Sequence, residues 1–352
     1  MRIALIAPLH EPVPPRKYGG TERIVSWLAE TFVEMGHEID LYAAGGSVTR
    51  ATLVECWPMS LREDGVGYSE DDLSKPYGVQ VQRLSSNAQK YDVIHIHHGT
   101  LKLHLDLPDF RRPLIWTDHG LLNTQGKPEL FTHIQRRLSA KLTAISNSQQ
   151  RTLPQNIPCF GVVHNGIPKN LLKPLPIEDR NYLAFVGRVD PQKGIEDAID
   201  IARQAHLPLK IAAKVDDIFR SYYESKIEPL IQGNDIDFVG EISDQDKSAF
   251  FSGAVATLFP VKVEEPFGLV MIESFACGAP VVGYRRGAVS EVIVDGLNGF
   301  IVENVAEAIP RVKLARSLDR IKIREEFEHT FTANRMAEGY LSIYKKAVEE
   351  WV

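Results

Sequence analysis

The sequence has few cysteines and no excess of positive charge. Its three cysteines, Cys56, Cys159 and Cys277, are widely spaced and form no Cys-x-x-Cys pair, so neither a zinc ribbon nor a disulfide framework is indicated. This usage fits a reducing compartment, and we expect a cytoplasmic protein. The net charge is −6, from 40 lysines and arginines against 46 aspartates and glutamates, which argues against general nucleic-acid binding.

Long hydrophobic runs and dinucleotide-binding glycines are also missing. No uncharged apolar stretch is long enough to cross a bilayer, so we expect peripheral membrane contact at most. The opening run RIALIAP is followed at once by polar residues and prolines, which favours a first strand over a signal peptide. The lack of Gly-x-Gly-x-x-Gly after a strand argues against an NAD-dependent dehydrogenase.

What the sequence does contain is a regular alternation of β-rich runs and helical patterns. Runs such as HEIDLYAA, YDVIHIHH and YLAFVG predict buried strands, and TERIVSWLAETFVEMG predicts a helix that ends at Gly36. Apolar strands separated by helices indicate an α/β protein with doubly wound parallel sheets, and 352 residues favour two domains. The segment PKNLLKPLPIEDRN is the predicted linker. We therefore predict domains at 1–173 and 174–334, followed by a C-terminal helix at 335–352.

The segment EEPFGLVMIESFACGAP carries two carboxylates, Glu265 and Glu273, in an otherwise apolar stretch. Its residues from about Gly268 to Cys277 are apolar on nearly all sides, which predicts a buried helix. Glu273 would then need a partner, either the vicinal hydroxyls of a ribose or a core arginine. Glu265 precedes the helix, where it either contacts a ligand beside free backbone N–H groups or only complements the helix dipole.

Two cations follow the predicted strand YLAFVG. Arg188 comes directly after it, and Lys193 lies farther along, before the next helix. Ligands of doubly wound sheets bind beyond the carboxyl ends of the strands, and a guanidinium with an ammonium suits a diphosphate. An ordinary solvated loop is the alternative, which the nearby carboxylate segment makes the less favoured one.

These motifs together resemble a known family. GRVDPQKG, VGEI, EPFGLVMIESFACGAPVV and GAVSEVIVDGLNGF are similar to the donor domain of the family-4 retaining glycosyltransferases (glycosyl transferases group 1), over most of Asn181 to Phe300. The resemblance implies the GT-B fold, in which two Rossmann-like domains face a central cleft and the C-terminal helix returns to the first domain. It also implies transfer of a hexose from a nucleotide diphosphate sugar to a hydroxyl acceptor. UDP-glucose is favoured by its frequency in the family, with GDP-mannose, UDP-galactose and UDP-GlcNAc left open.

The resemblance also assigns roles to individual residues of the second half. Arg188 and Lys193 would bind the donor diphosphate, Glu265 the hydroxyls of the transferred sugar, and Glu273 the ribose. The backbone of three consecutive residues would face the sugar and the phosphates: Phe267, Gly268 and Leu269. One departure is the segment KIAAKVDD, where Ala212, Ala213 and Lys214 replace the glycines that many members carry.

The first half offers a second set of candidates. In KYGGTE, Gly19 and Gly20 allow close approach of the backbone to a ligand, and Thr21 can cap the following helix. A flexible turn is the alternative. The resemblance implies that the glycine pair lies near the donor phosphate, and that His119 in IWTDHG contacts the transferred sugar and takes part in catalysis with Glu265. For a lone histidine, a core or surface position is the alternative.

The run VIHIHH raises the question of a metal. His95 and His97 share one face of a strand, but no Glu or Cys accompanies them at metal-ligand spacing. We expect neither a metal nor another cofactor. We instead predict that several residues line the acceptor cleft: His95, His97, His98, Lys17 and Tyr18. The Asp-x-Asp segments at 235–237 and 244–246 are interpreted as a strand entry and a helix N-cap.

Three further points stay open at the level of the sequence. Arg136, Arg137 and Lys141 in FTHIQRRLSAK suit an anionic membrane or a phosphorylated acceptor, although a solvated helix face is favoured. The acceptor and the oligomeric state are not indicated. The alternative functions are a non-catalytic nucleotide-sugar or glycan-binding protein and another GT-B enzyme, such as a sugar epimerase.

Overall fold

The computed structural model describes residues 1–16, 19–67, 69–98, 110–122, 131, 140–233 and 235–351. The chain divides into two compact units: Met1–Gly166 together with Ala333–Val352 forms the first unit, and Ile167–Thr332 forms the second. The sequence predicted a division after residue 173. The residues just before that point belong to the second unit because Ile167 bridges to Thr332 and the Arg324 guanidinium donates to the carbonyl of Leu172 at 2.8 Å.

A parallel sheet forms the centre of the first unit. In the described residues it has the strand order β3-β2-β1-β4-β5-β6-β7, and every neighbouring pair is parallel. The strands are β1 Arg2–Ile6, β2 Glu38–Ala44, β3 Thr52–Trp57, β4 Val93–Ile96, β5 Leu114–Thr117, β6 Lys141–Ala144 and β7 Cys159–Val162. The chain builds outward from β1 in one direction and from β4 in the other. These two strands therefore flank the switch point at which such sheets bind ligands.

The helices described in the first unit cover this sheet. They are Gly20–Glu34, Glu70–Asn87, the short 3₁₀ turn Ala88–Lys90, Asn147–Arg151 and Ala333–Glu349. The last of these has one buried face, because Met336, Tyr340, Tyr344 and Ala347 recur at a spacing of three or four residues. The C-terminal helix is therefore part of the first unit.

The second unit repeats the plan with six strands in the described residues. Their order is β10-β9-β8-β11-β12-β13, all parallel, so the switch point lies between β8 and β11. The strands are β8 Tyr182–Arg188, β9 Leu209–Lys214, β10 Ile236–Phe238, β11 Ala254–Phe259, β12 Val281–Tyr284 and β13 Gly299–Val302. Interior strand residues such as Leu183, Ile211 and Val281 are fully buried, which matches the near-continuous apolar runs of the sequence.

The helices of the second unit complete a Rossmann-like α/β arrangement. The α-helices of four residues or more are Ile195–Ala205, Asp244–Ser252, Leu269–Ala276, Val289–Val292, Val305–Ala315 and Arg320–Thr330. The other helical segments are the three-residue turns Pro191–Lys193, Asp217–Phe219 and Arg220–Tyr222 and the π-helical turn Tyr223–Ile227. No helix in the described parts of the chain combines the length and the apolar character needed to cross a bilayer. The predicted fold class, two α/β units with parallel sheets, is confirmed.

Candidate active site

Arg188 lies where the sequence predicted, at the carboxyl end of β8 beside the switch point. Its guanidinium lies 3.3 Å from Asp190 Oδ2 and 3.9 Å from Asp216 Oδ2, and the side chain is 32% exposed. Asp190 is itself fixed, because its other oxygen accepts a hydrogen bond from the backbone N–H of Gln192 at 2.9 Å. Two carboxylates thus orient a guanidinium that stays accessible to an anionic ligand.

Lys193 and Glu265 form an ion pair, with 2.8 Å between Nζ and Oε2. Lys193 ends the turn after β8 and Glu265 follows β11, so the pair joins the loops of the two strands that flank the switch point. The two side chains are 24% and 14% exposed. The ammonium predicted for phosphate and the carboxylate predicted for sugar hydroxyls are therefore neighbours.

The loop that carries Glu265 is fixed by a turn after β12. Glu264 Oε2 accepts a hydrogen bond from the N–H of Gly287 at 2.6 Å, and the carbonyl of Glu265 accepts one from Ala288 at 2.9 Å. Gly287 has φ of 57°, and a Cβ on it would lie 2.2 Å from the Glu265 carbonyl oxygen. Only glycine fits this approach. The sequence analysis assigned no individual role to Glu264 or Gly287, although Gly287 opens one of the family-like motifs.

The helix Leu269–Ala276 begins at Gly268, which has φ of 88°. A Cβ on Gly268 would lie 2.9 Å from Cζ of Phe259. The Phe267 side chain turns inward, is 2% exposed and packs edge-on against Phe331 with ring centroids 6.2 Å apart. A helix start of this kind directs its first N–H groups away from the helix body, as the predicted phosphate contact requires.

Glu273 is buried and paired with a lysine. Its Oε1 lies 2.7 Å from Nζ of Lys247 on the helix Asp244–Ser252, and the two side chains are 6% and 12% exposed. The sequence analysis predicted either ribose hydroxyls or a core arginine as the partner of Glu273. No sequence pattern indicated Lys247. Because the contact uses one carboxylate oxygen, it is compatible with a ribose contact at the other, which stays a prediction.

The segment that departs from the family pattern adds a third cation at this sheet edge. Ala212 and Ala213 are buried inside β9, each 3% exposed, and Lys214 ends the strand opposite Arg188. Nζ of Lys214 lies 2.7 Å from Oδ1 of Asp216. Asp216 therefore lies near both Lys214 and Arg188, next to the three residues that replace the glycines of the family pattern.

In the first unit, Gly19 is the N-cap of the helix that begins at Gly20. A Cβ on Gly19 would lie 2.7 Å from Cβ of Pro15, so close packing excludes a side chain there. The predicted cap at Thr21 is wrong, because that residue already lies inside the helix. Of the residues predicted beside this loop, Lys17 and Tyr18 lie outside the described residues.

Glu22, in the first turn of the same helix, is an acid that the sequence analysis did not single out. Its side chain is only 6% exposed. Burial raises the pKa of Glu22 to about 7, and the nearby Glu11 carboxylate adds to this, while backbone hydrogen bonds and Arg62 oppose it. A carboxyl that titrates near neutral pH therefore lies beside the glycine pair.

His119 lies after β5 and pairs with His97, which follows β4. Nδ1 of His97 and Nε2 of His119 are 3.1 Å apart, and the two rings stack with an angle of 22°. Burial lowers the pKa of His119 to about 4, against the opposing effect of Asp118. Burial and the neighbouring His95, His119 and His98 hold the pKa of His97 well below its usual value. Both rings are therefore neutral at pH 7.

His95 and His98 are also buried in the first unit. Both ring nitrogens of His95 are hydrogen-bonded, Nδ1 with the Tyr344 hydroxyl at 2.6 Å and Nε2 with the Thr117 hydroxyl at 2.8 Å. His98 is 4% exposed, and its ring centroid lies 5.1 Å from that of Tyr77. Acceptor contact by these histidines stays a prediction, and for His95 the two hydrogen bonds already describe a core histidine.

The turn that carries His119 is held by Gln149, which the sequence analysis also missed. Its Nε2 donates to the carbonyls of Asp118 and Gly120 at 2.8 and 2.7 Å, and its Oε1 accepts from the N–H of Ile145 at 2.8 Å. Gln149 is 2% exposed, so losing any of these bonds would leave a buried polar group unpaired. The amide thereby fixes the path of the backbone around His119.

The remaining candidates from the sequence belong to a strand, a helix or an ion pair, or they lie outside the described residues. Asp235 precedes β10 and Asp237 lies inside it, and the aspartates at 244–246 open the helix Asp244–Ser252, whose N-cap is Ser243. Among the residues that the structure describes, no group of three His, Cys, Asp or Glu side chains is arranged around a common point for a metal. Arg136 and Arg137 lie outside the described residues, and Lys141 pairs with Glu350 at 2.9 Å.

Two family models match the chain, Glycosyl transferases group 1 over residues 169–334 and Glycosyltransferase Family 4 over residues 18–171. The protein belongs to the group 1 glycosyltransferases of the family 4 type. The two models meet close to the division between the compact units, so each unit of this glycosyltransferase corresponds to one model.

Individual relatives and solved structures agree with this assignment. The glycosyltransferase is 25% identical over 296 residues to an uncharacterized glycosyltransferase of Methanocaldococcus jannaschii, a match that covers 77% of this chain and 80% of the relative. It is 21% identical over 375 residues to O-antigen chain mannosyltransferase C of Escherichia coli, covering 95% and 96%. Anabaena HepE, solved with UDP and glucose, superposes with a TM-score of 0.74 at 18% identity, covering 98% and 100%. The last match supports the GT-B fold.

Proposed function

We propose that this glycosyltransferase moves a hexose from a nucleotide diphosphate sugar, with UDP-glucose favoured, to a hydroxyl acceptor, with retention at the anomeric carbon and without a metal ion. The observation that carries the proposal is the group at the switch point of the second unit. There, Asp190 and Asp216 orient Arg188, and Lys193 pairs with Glu265, the carboxylate predicted to bind sugar hydroxyls. This order of charges matches a ligand that carries a diphosphate next to sugar hydroxyls.

The two cations would act mainly in the transition state. As the bond from the anomeric carbon to the diphosphate breaks, negative charge grows on the leaving group. Arg188 and Lys193, with the first N–H groups of the helix Leu269–Ala276, would stabilise that charge. Fixed cations of the protein thus take the role that a divalent ion has in other transferases, which is why we propose a metal-independent reaction.

Retention is proposed to occur through attack on the same face from which the diphosphate departs. The acceptor oxygen bonds to the anomeric carbon, the carbon–phosphate oxygen bond breaks, and the acceptor proton passes to the leaving phosphate. Double displacement would instead need a carboxylate nucleophile, and the family resemblance assigns none. Glu265 would hold sugar hydroxyls, since Lys193 already balances its charge.

The donor is the finer part of the proposal. The solved structure of HepE contains UDP and glucose, which supports UDP-glucose as the first donor to test. The Escherichia coli relative is named a mannosyltransferase, so GDP-mannose is the second. UDP-galactose and UDP-GlcNAc complete the panel.

The test begins with thermal stabilisation of the purified protein by this panel in the presence of EDTA. Binding to the folded state raises the melting temperature by mass action, and we expect a shift with one nucleotide sugar that is lost in Arg188→Ala and Glu273→Ala. Slow hydrolysis of that donor, followed by NMR, should release the α-anomer of the sugar first. A shift with NAD alone would contradict the donor site. Release of the β-anomer would contradict retention, an epimerised nucleotide sugar would favour the epimerase, and binding without turnover would favour a binding protein.

A further inference from the structure

The pair His97–His119 has two buried ring nitrogens without a hydrogen-bond partner among the described residues. They are His97 Nε2 and His119 Nδ1, and the other two nitrogens face each other at 3.1 Å. Because both rings are neutral, each carries one N–H and one lone pair. One ring must donate across the gap and the other accept, and the two arrangements differ in which outer nitrogen keeps a hydrogen.

Both outer nitrogens are buried, and the exposure of the two residues decides between these arrangements. If His119 donated, His97 would keep its hydrogen on Nε2, although the residue is 0% exposed and no acceptor is described there. A buried N–H without an acceptor is rare, and an unpaired lone pair is less so. If His97 donates from Nδ1, its own Nε2 keeps only a lone pair, in a residue that is 0% exposed. His119 then carries its hydrogen on Nδ1, which also has no partner among the described residues, but His119 is partly exposed, so an oxygen of a bound ligand can supply the acceptor.

The orientation of His97 is set by the core behind it. The ring centroid of His95 lies 3.8 Å from that of His97, and both nitrogens of His95 are bound by Tyr344 and Thr117. On the other side, Gln149 fixes the turn of His119 through the carbonyl groups that flank it. The two facing nitrogens are thus held by independent parts of the first unit.

We propose that His97 is a positioning residue that holds His119 as the neutral Nδ1–H tautomer, so that His119 donates a hydrogen bond to an oxygen of the transferred sugar and does not accept the proton of the acceptor. The inference rests on the proposed function, in which His119 contacts that sugar. It leaves proton acceptance to the departing phosphate and gives His97 a task in the known type of reaction.

The tautomer can be measured without any turnover. In the full-length protein labelled with ¹⁵N-histidine, two-bond proton–nitrogen spectra distinguish the Nδ1–H from the Nε2–H form, and the spectrum of His119→Gln identifies the signals of His119. We expect Nδ1–H at neutral pH. His97→Leu should remove this preference, and His97→Asn should retain it, because the asparagine amide can present an N–H close to the position of Nδ1. His206→Asn, at an exposed position, is the control.

Turnover of the nucleotide sugar that binds gives the second readout. His97→Leu should lower kcat about tenfold, the value of one hydrogen bond to the sugar, with a smaller change in KM, and His97→Asn should recover most of it. An Nε2–H form of His119 in the wild type would overturn the proposal, even if His97→Leu failed to fold. Equal losses in the Leu and Asn variants with an unchanged tautomer would also overturn it. Lack of turnover with every donor would contradict the proposed function and leave the tautomer result valid.

Discussion

The candidate sites of the two units differ in charge: the second unit presents ion pairs, and the first presents neutral histidines. In the second unit, Lys193 and Glu265 form an ion pair at the switch point, with 2.8 Å between Nζ and Oε2. Lys247 and Glu273 form a second, buried pair between two helices, with 2.7 Å between Nζ and Oε1. In the first unit, His97 follows β4 and His119 lies after β5; their rings stack, and burial lowers the pKa of each, so both are neutral. Fixed charge thus lies where a diphosphate is proposed to bind, and uncharged groups lie where sugar chemistry is proposed.

This contrast predicts different sensitivities. An ion pair loses its balance when one partner is removed, because the remaining charge stays in a poorly solvated place. The neutral rings of His95, His97 and His119 are held by hydrogen bonds. Losing one such bond costs less free energy than leaving a buried charge without its partner. Substitutions in the second unit should therefore have larger effects than substitutions of comparable size in the first.

The largest effect is expected for Arg188→Ala. Loss of a group that stabilises the charge of the leaving diphosphate should lower kcat by about 10²–10³-fold, measured as donor hydrolysis or transfer. The kcat of Arg188→Lys should lie between those of the wild type and Arg188→Ala, because lysine keeps the positive charge but lacks the planar guanidinium. Arg285→Ala, an exposed arginine paired with Glu303, is the control. A change within twofold for Arg188→Ala would remove this residue from the mechanism.

Next in size is the buried pair of the second unit. Lys247→Met leaves Glu273 uncompensated and should lower the free energy of unfolding by about 3 kcal/mol in urea titrations. The double variant Lys247→Met with Glu273→Gln should regain part of that loss, since no charge is then buried alone. If the two single effects simply add in the double variant, the pair does not couple as the geometry suggests.

Glu22 should make the stability of the protein depend on pH. Its pKa is 4.5 in an ordinary environment and about 7 when folded, so the folded state holds the proton more tightly. The corresponding stability is present below pH 4.5 and is lost as the pH rises through about 7, a change on the order of 3 kcal/mol. Glu22→Gln should remove this loss between pH 5 and pH 8, and Glu34→Gln, at an exposed position of the same helix, should not. An unchanged pH profile in Glu22→Gln would show that another group is responsible.

The smallest effect is expected for the hydroxyl groups of the two tyrosines whose rings pack against His95. Tyr344→Phe removes the hydroxyl bound to His95 and should lower the free energy of unfolding by about 1 kcal/mol. Tyr340→Phe is the matched variant, because its hydroxyl makes a longer contact of 3.4 Å with Thr117 and should cost less. If Tyr340→Phe lowered the free energy of unfolding more than Tyr344→Phe did, the hydrogen bond between Tyr344 and His95 would not be the stronger of the two contacts.

The fold was largely predictable because its signals are local. Strands such as β1 and β8 are buried on both faces, so their apolar runs are continuous in the sequence. Strand β3 was not predicted: it lies at the sheet edge, and of its residues only Cys56 is buried, so its pattern is mixed. The division of the chain depends on Ile167 pairing with Thr332, which no local pattern shows.

The sequence by itself determined the α/β class, the strand ends at which Arg188, Lys193 and His119 lie, and the buried place of Glu273. These follow from periodicity and from the rule that ligands meet parallel sheets at the carboxyl ends of strands. Only the tertiary structure decided the partners. Glu265 meets Lys193 across 72 positions and Glu273 meets Lys247 across 26, while Gln149 holds the turn of His119 from the helix Asn147–Arg151. Such partners are selected by distance in space and by the cost of leaving a buried polar group unpaired, and neither quantity exists before the chain has folded.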